Sequence, residues 1–170
     1  MKSILFFSVL LLASVVNAQE DKSKRPSPPD SVSGTLKNGA ILSISYSQPS
    51  VKGRTIGKDL EPLPGQVWRT GANEATVFQV DKNVKIEGKD LPAGKYALFT
   101  IANGNDWTII FNKTWNQWGA FAYKEADDAL RVNVKSGKPK EFAEKMKFQV
   151  SKEGIVTLLW GDIKVEFKVE

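Results

Sequence analysis

Apolar side chains recur at every second position along most of this chain. Leu42, Ile44 and Tyr46 alternate with Ser43, Ser45 and Ser47, and Ile163, Val165, Phe167 and Val169 repeat the pattern near the C-terminus. A period of two sends successive side chains to opposite faces of a strand, so each run has one face to bury. The runs are short and end in turn residues: Asn38-Gly39, Pro92-Ala93-Gly94, Asn103-Gly104-Asn105-Asp106, Glu153-Gly154 and Gly161-Asp162. Asn-Gly suits a tight hairpin because both residues tolerate positive φ. Strands are expected at 32–36, 40–47, 67–70, 75–80, 95–101, 107–112, 129–135, 146–151, 155–160 and 163–169. In 107–112, Trp107, Ile109 and Phe111 share one face, and Thr108, Ile110 and Asn112 the other. The last three strands form a meander, and only 124–128 and 141–145 suit a helical turn. The expectation is an all-β single domain, an antiparallel β-sandwich or jelly roll, with an up-and-down β-barrel as the alternative. The irregular stretch 48–66, rich in Pro and Gly, suits a crossing between two sheets.

The N-terminus departs from this pattern. Lys2 precedes the apolar run 4–12, and Val16 and Ala18 occupy the −3 and −1 positions of a cleavage site. This pattern is that of a secretory signal peptide over residues 1–18. The run is too short to span a bilayer, which takes about 20 apolar residues. Residues 1–18 carry one lysine and no acid, so cleavage leaves 152 residues with 23 basic and 19 acidic side chains. The expected location is periplasmic or secreted, with no transmembrane segment after cleavage. Residues 19–30 (QEDKSKRPSPPD) contain three prolines and no aliphatic side chain, and read as a flexible leader to a domain over 31–170. About 150 residues can bury roughly 70% of the unfolded chain's surface, so an exported domain of this size stands without disulfides.

The sequence has neither cysteine nor histidine. That excludes Ser-His-Asp and Cys-His catalysis, imidazole zinc sites, thiolate nucleophiles and iron–sulfur clusters. Asp127-Asp128 lacks the spaced carboxylates of a calcium loop, and no glycine-rich loop opens a helix to cradle a phosphate. No metal or cofactor is expected. The basic residues are scattered among acids and prolines, which argues against a nucleic-acid partner. Asn112-Lys113-Thr114 matches an N-glycosylation acceptor.

Two stretches carry unusual polar content, 46–54 and 67–76. In the second, Arg69, Asn73 and Glu74 crowd around Gly71 between two strands. A glycine there permits close backbone approach. Arg69 and Glu74 then form either a polar pocket, with Arg69 fixing an anionic or carbonyl oxygen, or a structural ion pair with Asn73 capping a turn. Five tryptophans are present. Trp107 and Trp160 lie in strands and read as core, whereas Trp115 and Trp118 lie in a polar, loop-like stretch and serve either as a sugar-stacking platform or as loop anchors.

The segments YSQPSVKGR, VWRTGANEAT, LPAGKYALFTI, WTIIFN and WGAFAY resemble the bacterial secreted proteins grouped as domain of unknown function 2911, over 27–170. The resemblance implies an exported envelope protein and no particular activity. It places Tyr46, Arg54, Arg69, Asn73, Glu74, Trp118 and Tyr123 on motif positions, and these are the candidate ligand-binding residues. Two functions follow as expectations. One is a non-enzymatic binding or interaction module for a small molecule, glycan or peptide. The alternative is a hydrolase or lyase that pairs Glu74 with Asp106, Asp127 or Asp162 at about 5–9 Å.

Overall fold

A computed structural model describes residues 21–170; the expected signal peptide lies outside the described residues. The strands are β1 (Pro29–Thr35), β2 (Ile41–Ser47), β3 (Val67–Trp68), β4 (Thr76–Val80), β5 (Val84–Ile86), β6 (Lys89–Leu91), β7 (Gly94–Asn103), β8 (Asp106–Asn112), β9 (Asp128–Gly137), β10 (Ala143–Val150), β11 (Ile155–Gly161) and β12 (Ile163–Lys168). All pairings are antiparallel. Ten strands form one sheet in the order β1-β2-β4-β7-β8-β9-β12-β11-β10, with β3 beside β7; β5 and β6 make a separate hairpin. The all-β, antiparallel, single-domain expectation therefore holds.

The sheet curls until its two ends nearly meet, which brings it closest to the barrel alternative, although the order is not up-and-down. Gly34 of β1 packs against β10: a Cβ built there would stand 2.9 Å from Val150 Cγ1. Beyond β2 the chain crosses directly to β10, where the Val51 N–H donates to the Glu144 carbonyl at 2.9 Å and the Met146 N–H to the Pro49 carbonyl at 3.0 Å. The start of the long 48–66 stretch thus closes the curl. The same pairing draws residues 143–145 into β10 and denies 141–145 a helical turn, whereas Glu125–Asp127 does form a 3-10 turn.

The enclosed space is apolar. Phe78 of β4, Phe111 of β8 and Phe167 of β12 meet inside it, with ring centroids 4.9, 6.0 and 6.3 Å apart. Burying each ring contributes about 1.5–3 kcal/mol. Trp68, Trp107 and Trp160 are buried in the same cluster. Strands β7 and β8 are also buried on the outer face, where Ala97, Phe99 and Ile110 lie beneath Ala120 and Tyr123. The 113–127 segment is therefore laid over the sheet, and this fixes where Trp115 and Trp118 stand.

The described part of the leader is packed on the domain. Lys22–Lys24 forms a 3-10 turn capped by Asp21, and β1 already begins at Pro29. A proline-rich segment without aliphatic residues has no core to join; here it is held by charge and backbone hydrogen bonds instead.

Candidate functional site

The turn from β3 to β4 is cross-braced by its own residues. The Trp68 indole N–H donates to the Gly71 carbonyl at 3.0 Å, and the Thr76 hydroxyl to the Thr70 carbonyl at 2.8 Å. The Ala72 N–H reaches the Ser47 carbonyl at 3.2 Å. Gly71 has no room for a side chain, because a Cβ would lie 2.9 Å from Thr76 Oγ1 and 3.2 Å from the Ser47 carbonyl. Thr70 and Asn73 hold positive φ, +52° and +57°. A turn wound this tightly fixes where its polar side chains emerge, and Arg69 and Glu74 find separate surroundings.

Glu74 meets the leader. Lys22 Nζ lies 2.8 Å from one carboxylate oxygen, and Arg25 Nη1 lies 3.0 and 2.9 Å from the two. Burial works to raise the Glu74 pKa, but the hydrogen bonds from Lys22 and Arg25 and the charge of Lys22 outweigh it and hold the group at about 2. Asn73 joins the same contact, donating from Nδ2 to the Ser27 carbonyl at 2.9 Å and accepting the Gly119 N–H at 3.0 Å. Glu74 is bridged through the backbone to Trp118, whose half-exposed ring carries the Arg25 guanidinium 5.8 Å from its centroid. Trp115, also part-exposed, carries Lys95 Nζ at 4.9 Å. The acids considered as partners for Glu74 have other surroundings. Asp106 pairs with Lys135, Asp127 accepts from the Thr114 hydroxyl at 3.1 Å, and Asp162 is exposed in the turn between β11 and β12. A carboxyl kept ionised by two cations is a poor proton donor at neutral pH.

Arg69 lines a cavity of about 190 Å³ together with Arg54, Glu61, Ser27, Trp68 and Trp160. Its Nε is buried and has no hydrogen-bond partner. Desolvation lowers its pKa, partly offset by the negative charge of Glu61. Arg54 braces its own turn, donating to the Val51 carbonyl at 3.1 Å and the Ser50 carbonyl at 2.8 Å. Gly119 links this cavity to the aromatic loop: the place its Cβ would take lies 3.8 Å from Arg69 Nη1 and 3.0 Å from the Phe121 ring. Phe121 is 88% exposed.

The two tyrosines stand outside the Arg69 cavity. Tyr46 donates to Asp30 at 2.6 Å, accepts the Phe148 N–H at 3.2 Å and packs edge-on against Phe148. Burial, then Asp30, raises its pKa. It also lines an open depression of about 230 Å³ with Glu74, Trp115 and Gln117. Tyr123 donates to Asp128 at 2.8 Å, accepts from Arg131 and packs on Phe99; burial and then Asp128 push its pKa up to about 12. Asn112 is fully buried, with its amide donating to the Lys124 carbonyl and to Asp128, so in the folded protein the acceptor nitrogen of the glycosylation pattern is engaged and inaccessible.

Of the seven candidates, the structure thus gathers Arg54 and Arg69 at one cavity and Asn73, Glu74 and Trp118 at the leader beside it. Sequence reading missed Ser27, Glu61 and Trp160 as lining residues, and Arg25 as the partner of Glu74. None carries a local signal, since each reaches the site from a distant part of the chain. Phe121 lies within the WGAFAY segment, but nothing local singles it out as a site residue.

The chain belongs to the family described as "Protein of unknown function (DUF2911)", whose model matches residues 27–169. No curated protein and no solved structure matches the chain.

Proposed function

We propose that this member of the DUF2911 family is an exported, non-enzymatic binding module of the cell envelope that grips the carboxylate end of a small ligand or peptide with Arg69. The observation that carries the reading is the Arg69 side chain, desolvated along one edge, unpartnered at Nε and facing a cavity. A buried donor without a partner costs about 1–3 kcal/mol, so the fold carries this guanidinium at some expense, and the part of it that lines the cavity is what a ligand can reach. The planar guanidinium matches a carboxylate in a two-point grip. A space of about 190 Å³ accepts a small acid group rather than a whole oligomer. The ring of Phe121, brought near by Gly119, is placed to contact what extends beyond. The export pattern at 1–18 supports a periplasmic or secreted setting.

Trp68 and Trp160 line the cavity, so their fluorescence reports occupancy. Titration with acetate, succinate and a tripeptide should saturate, while the same tripeptide with an amidated C-terminus should bind at least about tenfold more weakly. Arg69→Met should abolish the response in a folded protein. Equal binding of acid and amide, or an undiminished response from Arg69→Met, would overturn the assignment.

A further inference from the structure

A second site lies on the outer face of the C-terminal meander. In the registered pairs, Lys147 of β10 stands opposite Leu159 of β11, which stands opposite Lys164 of β12; the adjacent row is Gln149, Thr157 and Glu166. Directly opposed side chains share a face at about 5 Å. The first row therefore sets two ammonium groups on either side of a leucine, and the second sets an amide, a hydroxyl and a carboxylate beside them. The segment Lys138-Pro139-Lys140-Glu141-Phe142 walls this surface into a groove of about 420 Å³.

Three properties set the groove apart from an ordinary solvated face. Phe142 is 60% exposed, which places a large apolar ring at the wall of a polar groove. Lys138, Lys140 and Lys147 have no ion-pair partner among the described residues. The acid on the floor is already engaged, Glu166 lying 2.9 Å from Lys164 and accepting the Thr157 hydroxyl at 3.1 Å. Glu141 is the one other acid in the lining, set against four lysines.

We propose that this groove binds an acidic polysaccharide, a chain of uronate sugars. The apolar face of a pyranose ring lies over Phe142 and Leu159, its carboxylate is met by the unpaired lysines, and Gln149 supplies an amide to its hydroxyls. A neutral sugar leaves the cations without a role, and a bare phosphate makes no use of the phenyl ring. A lipid surface calls for apolar groups that protrude, whereas here they wall a concave groove. Lysines spread along it suit a ligand whose charge repeats. The groove shares no lining residue with the Arg69 cavity, so the two assignments stand or fall separately.

The test is calorimetric titration of the protein with a hexameric oligogalacturonate, set against a neutral maltohexaose, inorganic phosphate and anionic phosphatidylglycerol vesicles. The oligouronate should bind, and more weakly as salt rises from about 50 to about 200 mM, because surface charges are screened. The neutral hexamer should not bind. Lys138→Glu with Lys147→Glu should weaken binding at least about tenfold, and Phe142→Ala should weaken it several-fold. Arg69→Met, which removes the carboxylate grip proposed for the cavity, should retain this salt-dependent binding at the groove. All three groove side chains are exposed, and thermal unfolding checks that the variants fold. Unaltered affinity in the charge-reversed variant, equal binding of the neutral hexamer, or binding of phosphate or vesicles in place of the oligouronate would each overturn the proposal.

Discussion

Arg69 is the residue whose presence the fold least explains. Its Nε is buried without a partner and its charge is partly desolvated. Such a group costs stability, and a well-packed apolar side chain in its place often restores it. Arg69→Met should therefore raise stability by about 1 kcal/mol, a rise of a few degrees in Tm for a domain of this size. A loss of similar size in thermal or urea unfolding would mean that the guanidinium serves the structure. Glu74 makes the opposite prediction. Its folded pKa of about 2 lies below the ordinary 4.5, so its contribution is complete above about pH 4.5 and fades as pH falls toward 2. The carboxylate is 38% exposed, so the contribution is at most about 1 kcal/mol. Wild type should exceed Glu74→Gln in urea unfolding at pH 6, and the difference should shrink at pH 3. A difference that is the same at both pH values would show that the ion pairs with Lys22 and Arg25 do not stabilise the protein.

Among elements, the β3–β4 turn is held closely by its own residues. Gly71→Ala forces a methyl to within 2.9 Å of Thr76 Oγ1 and 3.2 Å of the Ser47 carbonyl. The cost should be about 1–3 kcal/mol. Gly137→Ala, whose nearest neighbour is the Lys164 side chain at 3.9 Å, should stay within about 0.5 kcal/mol. Comparable unfolding of the two variants would contradict the crowding at Gly71. Elements of this size were mostly legible beforehand: the Ser-spaced run of β2, the Asn38-Gly39 turn and the meander β10–β12 each carry a period of two ended by a turn residue. The β5–β6 hairpin was missed. Its strands are three residues long, and its Glu87-Gly88 turn takes positive φ at both positions without the Asn-Gly pair that announces such turns.

At the scale of the whole molecule, the curl of the sheet depends on a seam between β1, β2 and β10. Tyr46 sits on it, donating to Asp30 beside it and accepting the Phe148 N–H across it. Tyr46→Phe keeps the ring and loses both bonds, leaving a buried N–H unpaired. It should lower the free energy of unfolding by about 1–3 kcal/mol. Hydrogen exchange at Phe148 should accelerate more than at Phe78 in β4; uniform acceleration would place the loss elsewhere than the seam.

The alternation of side chains was enough by itself to settle that the chain is all-β and where most strands lie, because a strand's two faces are written into consecutive residues. The crowding of polar residues around Gly71 likewise singled out the tight turn there. Only the tertiary structure decided that the sheet curls into one nearly closed layer, that Glu74 answers Lys22 and Arg25, and that Arg69 faces a cavity with Glu61 and Trp160. The physical reason is separation along the chain. Periodicity reports what each residue does relative to its neighbours. Which distant side chains meet depends on sheet curvature, seam closure and the path of the leader, to which each local segment contributes only a small part.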